Sequence, residues 1–450
     1  MEKIISKIKE AANWFNGTSK DKIVRIITHY DSDGITAGAI LAKALQRADC
    51  KFWLSIVKQL EDNVLKEVIQ DSSKYNAIFF LDLSGNFDII KDTNSKIFIL
   101  DHHEVDAASS NNSSVILVNP FLFGKEDEIS GAGLTYLFAK ELDERNKDLS
   151  NIAVLGMVGD MLDRSISKIN NSILNESDVS VKKGLPLFSS TRPLHKALEF
   201  SSSVFIPGVT GSSSGVLNLL RESGIKAENN KTLLSLSKEE LSRLITLVVL
   251  RRIGKSDADS ILGNIYILKF FNRVEDAREL STLINACGRL GYGDIALSLC
   301  LGSAEAKEIA EDVYRDYRNF LIEGLNYIER SEKVEGKNYV IFNCKSAVMD
   351  SIIGVIISIL ASSFIYEDGK VMVGLAYRDD GKIKVSARIS GKDFKEKKIN
   401  LKELLCKACK VINIEGSGSV GGHANAAGCL IPIADEETFI RALEQELKHA

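Results

Sequence analysis

Residues 24–34 read VRIITHYDSDG, an apolar run that breaks into His29, Asp31, Asp33 and Gly34. A short, nearly continuous apolar run is what a strand buried on both faces requires. Positions 29, 31 and 33 have period two, so in an extended segment their side chains leave the chain on one side. Gly34 permits the turn into a following helix. One imidazole and two carboxylates on one side of a strand end make a set of metal-ligand types. The same Asp-x-Asp-Gly pattern also serves as a plain capping turn, and this stretch alone leaves both readings open.

The pattern recurs outward from there. Residues 77–82 (AIFFLD) and 96–101 (KIFILD) are further apolar runs ending in an acid, the second followed by His102, His103 and Glu104. Helical periodicity lies between them, at Ile35 to Gln46 and Leu60 to Ile69. Strands alternating with helices predict an α/β domain with a parallel sheet covered on both faces. In open sheets of this kind the site lies beyond the carboxyl ends of the strands. A fourth apolar run, IAVLGMVGD, is helical in pattern and ends in Asp160. Taken singly, Asp82 reads as an ordinary cap and Asp160 is a weak signal.

The histidines sharpen the picture. Of six in the chain, His29, His102 and His103 fall at predicted strand ends beside aspartates, and His423 falls in a glycine-rich loop. His29, Asp31, Asp33, Asp82, His102 and Asp160 together supply two nitrogens and four carboxylates. Hard oxygen donors with some imidazole and no thiolate suit Mn²⁺ or Mg²⁺. Six ligands suit two ions better than one, and two ions about 3.5–4 Å apart activate water and clamp a phosphoryl group. The expected chemistry is hydrolysis of a phosphate ester or anhydride. Asp101 is placed to orient a neighbouring histidine through its second ring nitrogen. Of the adjacent pair, one histidine can ligate metal while the other faces a bound anion.

The rest of the chain sets the frame. At 450 residues it predicts two to four domains, and 45% hydrophobic with 26% charged residues is ordinary for a soluble globular protein. Lys plus Arg number 57 and Asp plus Glu 61, a net charge of −4, so any nucleic-acid surface is local. Residues 1–167 form the first domain. Residues 168–334, with three of the five prolines (Pro186, Pro193, Pro207), read as a mostly helical connecting region. Residues 335–450 read as a second, smaller α/β domain with strands in KNYVIFNC, KVMVGLAY and KIKVSARIS. Seven irregularly spaced cysteines read as reduced and cytoplasmic, with Cys406 and Cys409 as ordinary helix residues. The N-terminus does not read as a signal peptide. The apolar stretch Ile352 to Ile365 is too short to span a bilayer, so no membrane role is expected.

In the last domain, the loop Gly416 to Gly428 offers backbone N–H groups with little side-chain bulk. It reads as a phosphate nest to which His423 adds a donor, or as a tight turn that packs backbone closely. Residues 391–410 carry seven lysines against three acids, a face for nucleic acid or merely a solvated one. Asn285 and Arg289 could reach nucleic acid or lock domains together. His195 and Cys300 read as structural.

HYDSDG, LDLS, DHH and GMVGD, in this order, resemble the four motifs of the DHH phosphoesterases. The loop 416–428 resembles the signature of the DHH-associated domain, and Leu283-Ile-Asn-Ala-Cys-Gly-Arg289 the connecting motif of RecJ-type nucleases. Thr191 to Phe200 and Ile206 to Thr210 are similar to archaeal RecJ-like proteins, including the nuclease that associates with the GINS complex. The resemblance implies two domains with the active site in the cleft between them. It implies His29 and Asp31 on one Mn²⁺, Asp33 and His102 on the other, and Asp82 and Asp160 completing the shells, with Asp82 bridging. His103 would contact the scissile phosphate and Asp101 would support it. Arg388, Gly421, Gly422 and His423 would bind the substrate's end, with Asn285 and Arg289 as further substrate-binding residues. The implied activity is a Mn²⁺-dependent single-strand exonuclease, 5′-to-3′ on single-stranded DNA with RNA also open, in replication or repair. Short-oligonucleotide hydrolysis, 3′-to-5′ RNA digestion, and a scaffold role with GINS and the replicative helicase are the alternatives.

Overall fold

The computed structural model describes residues 2–18, 23–83, 85, 87, 90, 93, 95–104, 113–124, 128–187, 189–201, 204, 206–226, 230–252, 261–270, 273–363, 365–391, 399–414 and 420–448. The chain forms two compact units, 1–313 and 314–450.

The first unit opens with helix α1 (Glu2–Asn16), strand β1 (Ile23–His29), α2 (Ser32–Arg47), β2 (Phe52–Val57), α3 (Asp62–Gln70), β3 (Tyr75–Leu81), β4 (Lys96–Leu100), β5 (Val115–Val118), α4 (Gly131–Leu142) and α5 (Ser150–Gly159). The five strands make one parallel sheet in the order β2-β1-β3-β4-β5. The order reverses direction between β1 and β3, and such a switch point is where a parallel sheet opens a crevice at its carboxyl edge. Alternation along β3 sends Phe79 to one face and Phe80 to the other. Phe79 meets Phe15, Phe98 and Phe138 at ring centroid distances of 4.6–5.6 Å. Phe80 joins Leu65, Val68 and Phe87 beneath α3. These are the two apolar layers that the continuous strand runs require.

Helix α2 is buried almost all round, because Gly34, Ala37, Gly38, Ala39 and Ala42 let neighbours approach. It packs on β1, α4, α5 and two helices from further along the chain. Two strands, β2 (FWLSIV) and β5 (VILV), went unread in the sequence although both are apolar. β2 is a sheet edge with Phe52 and Trp53 exposed, and β5 is only four residues long.

The unit continues through α6 (Lys168–Glu176), β6 (Ser180–Gly184), α7 (Leu194–Glu199), α8 (Ser213–Glu222), α9 (Lys238–Arg251), β7 (Gly263–Phe270), β8 (Arg273–Asp276), α10 (Ala277–Arg289), α11 (Gly293–Cys300) and α12 (Ala304–Arg330), which runs on into the second unit. Helices dominate this region as expected, and within it β6, β7 and β8 form an antiparallel sheet, in the order β6-β7-β8, that the sequence reading did not include. β6 is polar and exposed along most of its length, so its sequence shows no strand-like apolar run. Leu185, Leu198, Ile206, Leu219 and Ile265 build a separate core under this segment.

The second unit holds β9 (Val334–Glu335), β10 (Tyr339–Asn343), α13 (Asp350–Ser362), β11 (Val371–Tyr377), β12 (Lys382–Ile389), α14 (Leu401–Val411), β13 (Val420–His423), β14 (Ala426–Pro432) and α15 (Glu436–Lys448). Its six-stranded sheet has the order β13-β14-β12-β11-β10-β9, parallel only between β10 and β11. Leu401, Leu405, Cys409, Phe439 and Leu443 from α14 and α15 cover it, packed in one core with Cys429 of β14. All seven cysteines are free, and six of them are buried. Among the described residues, no helix is long and apolar enough to cross a membrane.

Candidate metal centre

Each strand of the β1–β3–β4 trio delivers side chains to the same edge of the sheet. β1 ends at His29, and Asp31 caps the following helix by accepting the Gly34 N–H at 3.0 Å. Gly34 has no substitute, since a Cβ there would lie 2.5 Å from the His29 carbonyl oxygen. β3 is followed by Asp82 in the left-handed region, at φ 54°, a conformation that Asp tolerates better than most residues. β4 is followed by Asp101, His102 and His103. Asp160 caps the carboxyl end of α5 and completes the group.

These residues converge. His29 Nδ1 lies 3.0 Å from Asp31 Oδ2 and 3.5 Å from Asp82 Oδ2. His102 Nε2 lies 3.2 Å from Asp82 Oδ1 and 3.7 Å from Asp33 Oδ2, while its Nδ1 is 3.7 Å from Asp160 Oδ2. Three groups each bring their ligand atoms within 4.8 Å of one another: His29 with Asp31 and Asp82, Asp33 with His102 and Asp160, and Asp82 with His102 and His103. Asp82 belongs to two of the three, with one oxygen turned toward each histidine.

The site is built to hold charge. Asp33 is buried in the first turn of α2, where its two oxygens accept the amides of Gly131 (2.6 Å) and Ala132 (3.0 Å) at the start of α4. The unpaired amides of a helix N-terminus favour an anion there. Close approach depends on Gly131 and Gly156, because a Cβ on either would fall 2.7 Å from Asp82 Cβ or 2.6 Å from Asp33 Oδ1. His103 Nδ1 is bonded to the fully buried Asp101 at 2.7 Å. The buried Asn119, just after β5, donates to the His103 carbonyl at 2.9 Å.

The charges strain against one another. Burial would lower His29, but Asp31 and Asp82 outweigh it and hold the ring well above its ordinary pKa. His102 is raised in the same way against its burial, by Asp82, Asp160 and Asp33. Burial and the charge of Asp82 push Asp33 well up. Burial, with Asp82 and Asp31, brings Asp160 to about 6. Asp31 goes the other way, since His29 and the Gly34 amide overcome its burial. His103 rises to about 9, with Asp101 overcoming the opposing effect of burial.

The donor set fits a pair of divalent cations. Both oxygens of Asp82 and Nδ1 of His29 are buried, yet none has a hydrogen bond of acceptable geometry among the described residues. A buried carboxylate without a hydrogen bond is costly unless a cation meets it; without metal the raised rings of His29 and His102, 3.5 and 3.2 Å away, supply that charge, and a divalent ion would take their place. The donors are imidazole nitrogens and carboxylate oxygens, the mixture that Mn²⁺ and Mg²⁺ accept.

The remaining sequence candidates lie elsewhere. Asn285 and Arg289 are on α10, where Asn285 Oδ1 accepts the Ser32 N–H at 2.9 Å and Arg289 Nη1 lies 3.4 Å from the Tyr30 hydroxyl. Arg388 is in the second unit on β12, with Nε donating to Ser358 Oγ at 2.9 Å. The expected loop 416–428 is in part a hairpin, with Gly421 and Gly422 on β13 paired to β14. Gly422 sits at φ +108°, and a Cβ there would meet the Ala426 oxygen at 2.2 Å, whereas Gly421 has open space beside it. Residues 416–419 and the side chain of His423 lie outside the described residues. Gly131, Ala132 and Asn119 went unread in the sequence. The small run Ser130-Gly-Ala-Gly133 before an apolar helix was the available signal for the first two.

Comparison with known proteins agrees with this geometry. Family models match in order along the chain: the DHH family N-terminal domain at residues 23–159, the DHH-CID domain at 188–261 and the DHHA1 domain at 338–449. An uncharacterized protein of Methanocaldococcus jannaschii is 28% identical over 455 residues, 99% of this chain and 96% of that protein. RecJ from Thermus thermophilus, solved in complex with Mn²⁺, shares the fold at a TM-score of 0.60 and 18% identity, covering 99% of this chain and 55% of that one. The chain thus spans about half the length of that RecJ. CDC45 from Entamoeba histolytica shares the fold at a TM-score of 0.66 and 13% identity, covering 99% of both chains. With DHH, DHH-CID and DHHA1 domains following one another on a RecJ-like fold, the chain belongs to the DHH superfamily.

Proposed function

We propose that this chain is a divalent-metal-dependent phosphodiesterase, a single-strand exonuclease of RecJ type that works with Mn²⁺ and accepts Mg²⁺. The observation that carries the reading is the Asp82 carboxylate, buried, without a hydrogen bond of acceptable geometry among the described residues, and turned with one oxygen toward each of two ligand groups. His29 and Asp31 would hold one ion, Asp33, His102 and Asp160 the other, and Asp82 both. Bound there, such ions supply Lewis-acid polarisation of a phosphoryl group and a water activated at neutral pH.

The chain's own residues account for the rest. The α4 amides fix Asp33, so its carboxylate does not need to reorganise when a ligand arrives. Asp101 holds Nδ1 of His103 and keeps the ring protonated at neutral pH. Its Nε2–H is then the group to donate to a phosphoryl oxygen as charge develops. Arg388 with Gly421, Gly422 and His423 would bind the end of the strand, and cleavage would proceed 5′-to-3′.

The test is digestion of single-stranded DNA and RNA, labelled at the 5′ or the 3′ end in separate reactions, with Mn²⁺, Mg²⁺ or EDTA. The expected result is Mn²⁺-dependent release of nucleotides from the 5′ end, lowered at least about a thousandfold in Asp82→Asn and His102→Ala. Wild-type rates in Asp82→Asn would falsify the assignment. Equal rates on a 5-mer and a 50-mer would favour short oligonucleotides as substrate.

A second reading rests on the resemblance of Thr191 to Phe200 and Ile206 to Thr210 to archaeal RecJ-like proteins. In it the protein is also an assembly subunit that associates with the GINS complex. A pull-down that recovers no GINS subunit would remove it.

A further inference from the structure

Helix α10 meets the metal centre along one face. Arg278, Ser281, Asn285 and the Gly288–Arg289 pair follow the spacing of a single helical stripe. Each touches a loop that carries ligands. Asn285 Oδ1 accepts the Ser32 N–H at 2.9 Å. Ser281 Oγ lies 3.1 Å from Ser32 Oγ, with both residues buried. Gly288 rides against Tyr30, whose carbonyl oxygen would be 1.7 Å from a Cβ at that position. Arg278 is ion-paired to the buried Asp163, three residues beyond Asp160.

The Ser32 amide occupies a particular place. It is the first N–H of α2, one of those that a helix leaves without an internal partner. Asp31 caps the helix but takes the Gly34 N–H, so the cap leaves Ser32 for Asn285. Ser32 stands between Asp31 and Asp33, which fall in different ligand groups. Fixing its peptide fixes the angle at which the two carboxylates leave the backbone. The α5 end is clamped to the same point, since a Cβ on Gly159 would lie 2.7 Å from Ser32 Oγ and 2.9 Å from Ser281 Oγ.

We propose that Asn285 is a positioning residue for the metal centre: by holding the Ser32 N–H it sets the Asp31–Asp33 geometry, with α10 as the brace that ties this turn to the loop after Asp160. The role rests on the two-ion reading above, and it differs from a substrate contact because it acts before any nucleic acid binds.

The experiment is calorimetric titration of the full-length chain with Mn²⁺ in the absence of nucleic acid, for wild type, Asn285→Ala, Asn285→Leu, Asn285→Asp and Thr282→Ala. Thr282 is a control on the same helix, with its hydroxyl bonded within it to the Arg278 carbonyl. Asn285→Ala and Asn285→Leu should weaken Mn²⁺ binding about tenfold or more, as loss of supporting contacts around a metal does. Asn285→Leu retains bulk, and so carries the test if the alanine variant folds poorly. Asn285→Asp keeps an acceptor and should return affinity to within about threefold of wild type. Thr282→Ala should bind as wild type does. On an oligonucleotide, kcat should fall in Asn285→Ala with KM little changed. Wild-type Mn²⁺ affinity in both Asn285→Ala and Asn285→Leu, with only KM raised, would make Asn285 a nucleic-acid contact and overturn the proposal. A wild-type chain that binds no Mn²⁺ would remove the two-ion reading, and this role with it.

Discussion

At the scale of the residue, the site depends on pairs in which one side chain sets the state of another. His103 is the clearest case. Burial alone would make its ring neutral, and the Asp101 carboxylate at 2.7 Å reverses that, raising the pKa to about 9. A raised pKa means the charged form persists at neutral pH and is lost only as pH rises through about 9. If protonated His103 donates to the substrate, activity declines on the alkaline side with that group. Asp101→Asn removes the stabilising charge while burial remains, so the decline should move to lower pH and kcat at about pH 8 should fall, with Mn²⁺ affinity little affected. A pH–kcat profile of the two proteins checks this, and coincident alkaline limbs would contradict it. Asp101 and His103 were legible in sequence as neighbours at a strand end. Asp82 was less so, because a lone aspartate after a strand looks like any cap until its two oxygens are seen facing different histidines.

At the scale of the element, the centre exists because helices α2, α4 and α5 approach unusually closely. Gly156 on α5 is the tightest point. A Cβ there would lie 2.4 Å from Ala132 Cβ, 2.6 Å from Asp33 Oδ1 and 2.6 Å from Thr36 Oγ1. Gly156→Ala would have to push α5 away from α4 or displace the Asp33 carboxylate from its amides. Overpacking of this kind costs about 1–3 kcal/mol. The expected outcome is a lower urea midpoint together with weaker Mn²⁺ binding. A variant as stable as wild type would show that the helices have slack. The strands tell a complementary story. Buried β1, β3 and β4 announced themselves as apolar runs, while the exposed β6 (SVKKG) did not, since a strand with a wet face carries no such run; β2 (FWLSIV) is apolar in sequence, yet it lies at the sheet edge with Phe52 and Trp53 exposed.

At the scale of the whole molecule, all six proposed metal ligands and the α10 brace belong to the first unit, residues 1–313. Metal binding should therefore survive removal of the second unit beyond α12. A chain ending after α12, at residue 331, should bind Mn²⁺ within about twofold of the full-length protein while losing the substrate binding proposed for Arg388, Gly421, Gly422 and His423. Both proteins should also release protons on binding. Without metal, His29 and His102 are held protonated well above their ordinary pKa and Asp160 titrates at about 6. A cation must displace those protons, so affinity should rise between about pH 6 and 8. Titrations in buffers of different ionisation heat measure the release directly. A pH-independent affinity would place the ions elsewhere.

Chemistry of local spacing was determined by the sequence alone: the central strands β1, β3 and β4, the acids and histidines at their ends, and a hard-donor set without thiolate, because period and residue type are written along the chain. The supports were decided only by tertiary structure. Asn285 lies 253 positions from Ser32, and Gly131 lies 98 from Asp33. No periodicity links such partners. A backbone amide that finds its acceptor across the fold leaves no local trace, and a glycine kept small by a neighbour's carboxylate looks like any other glycine until the helices are packed.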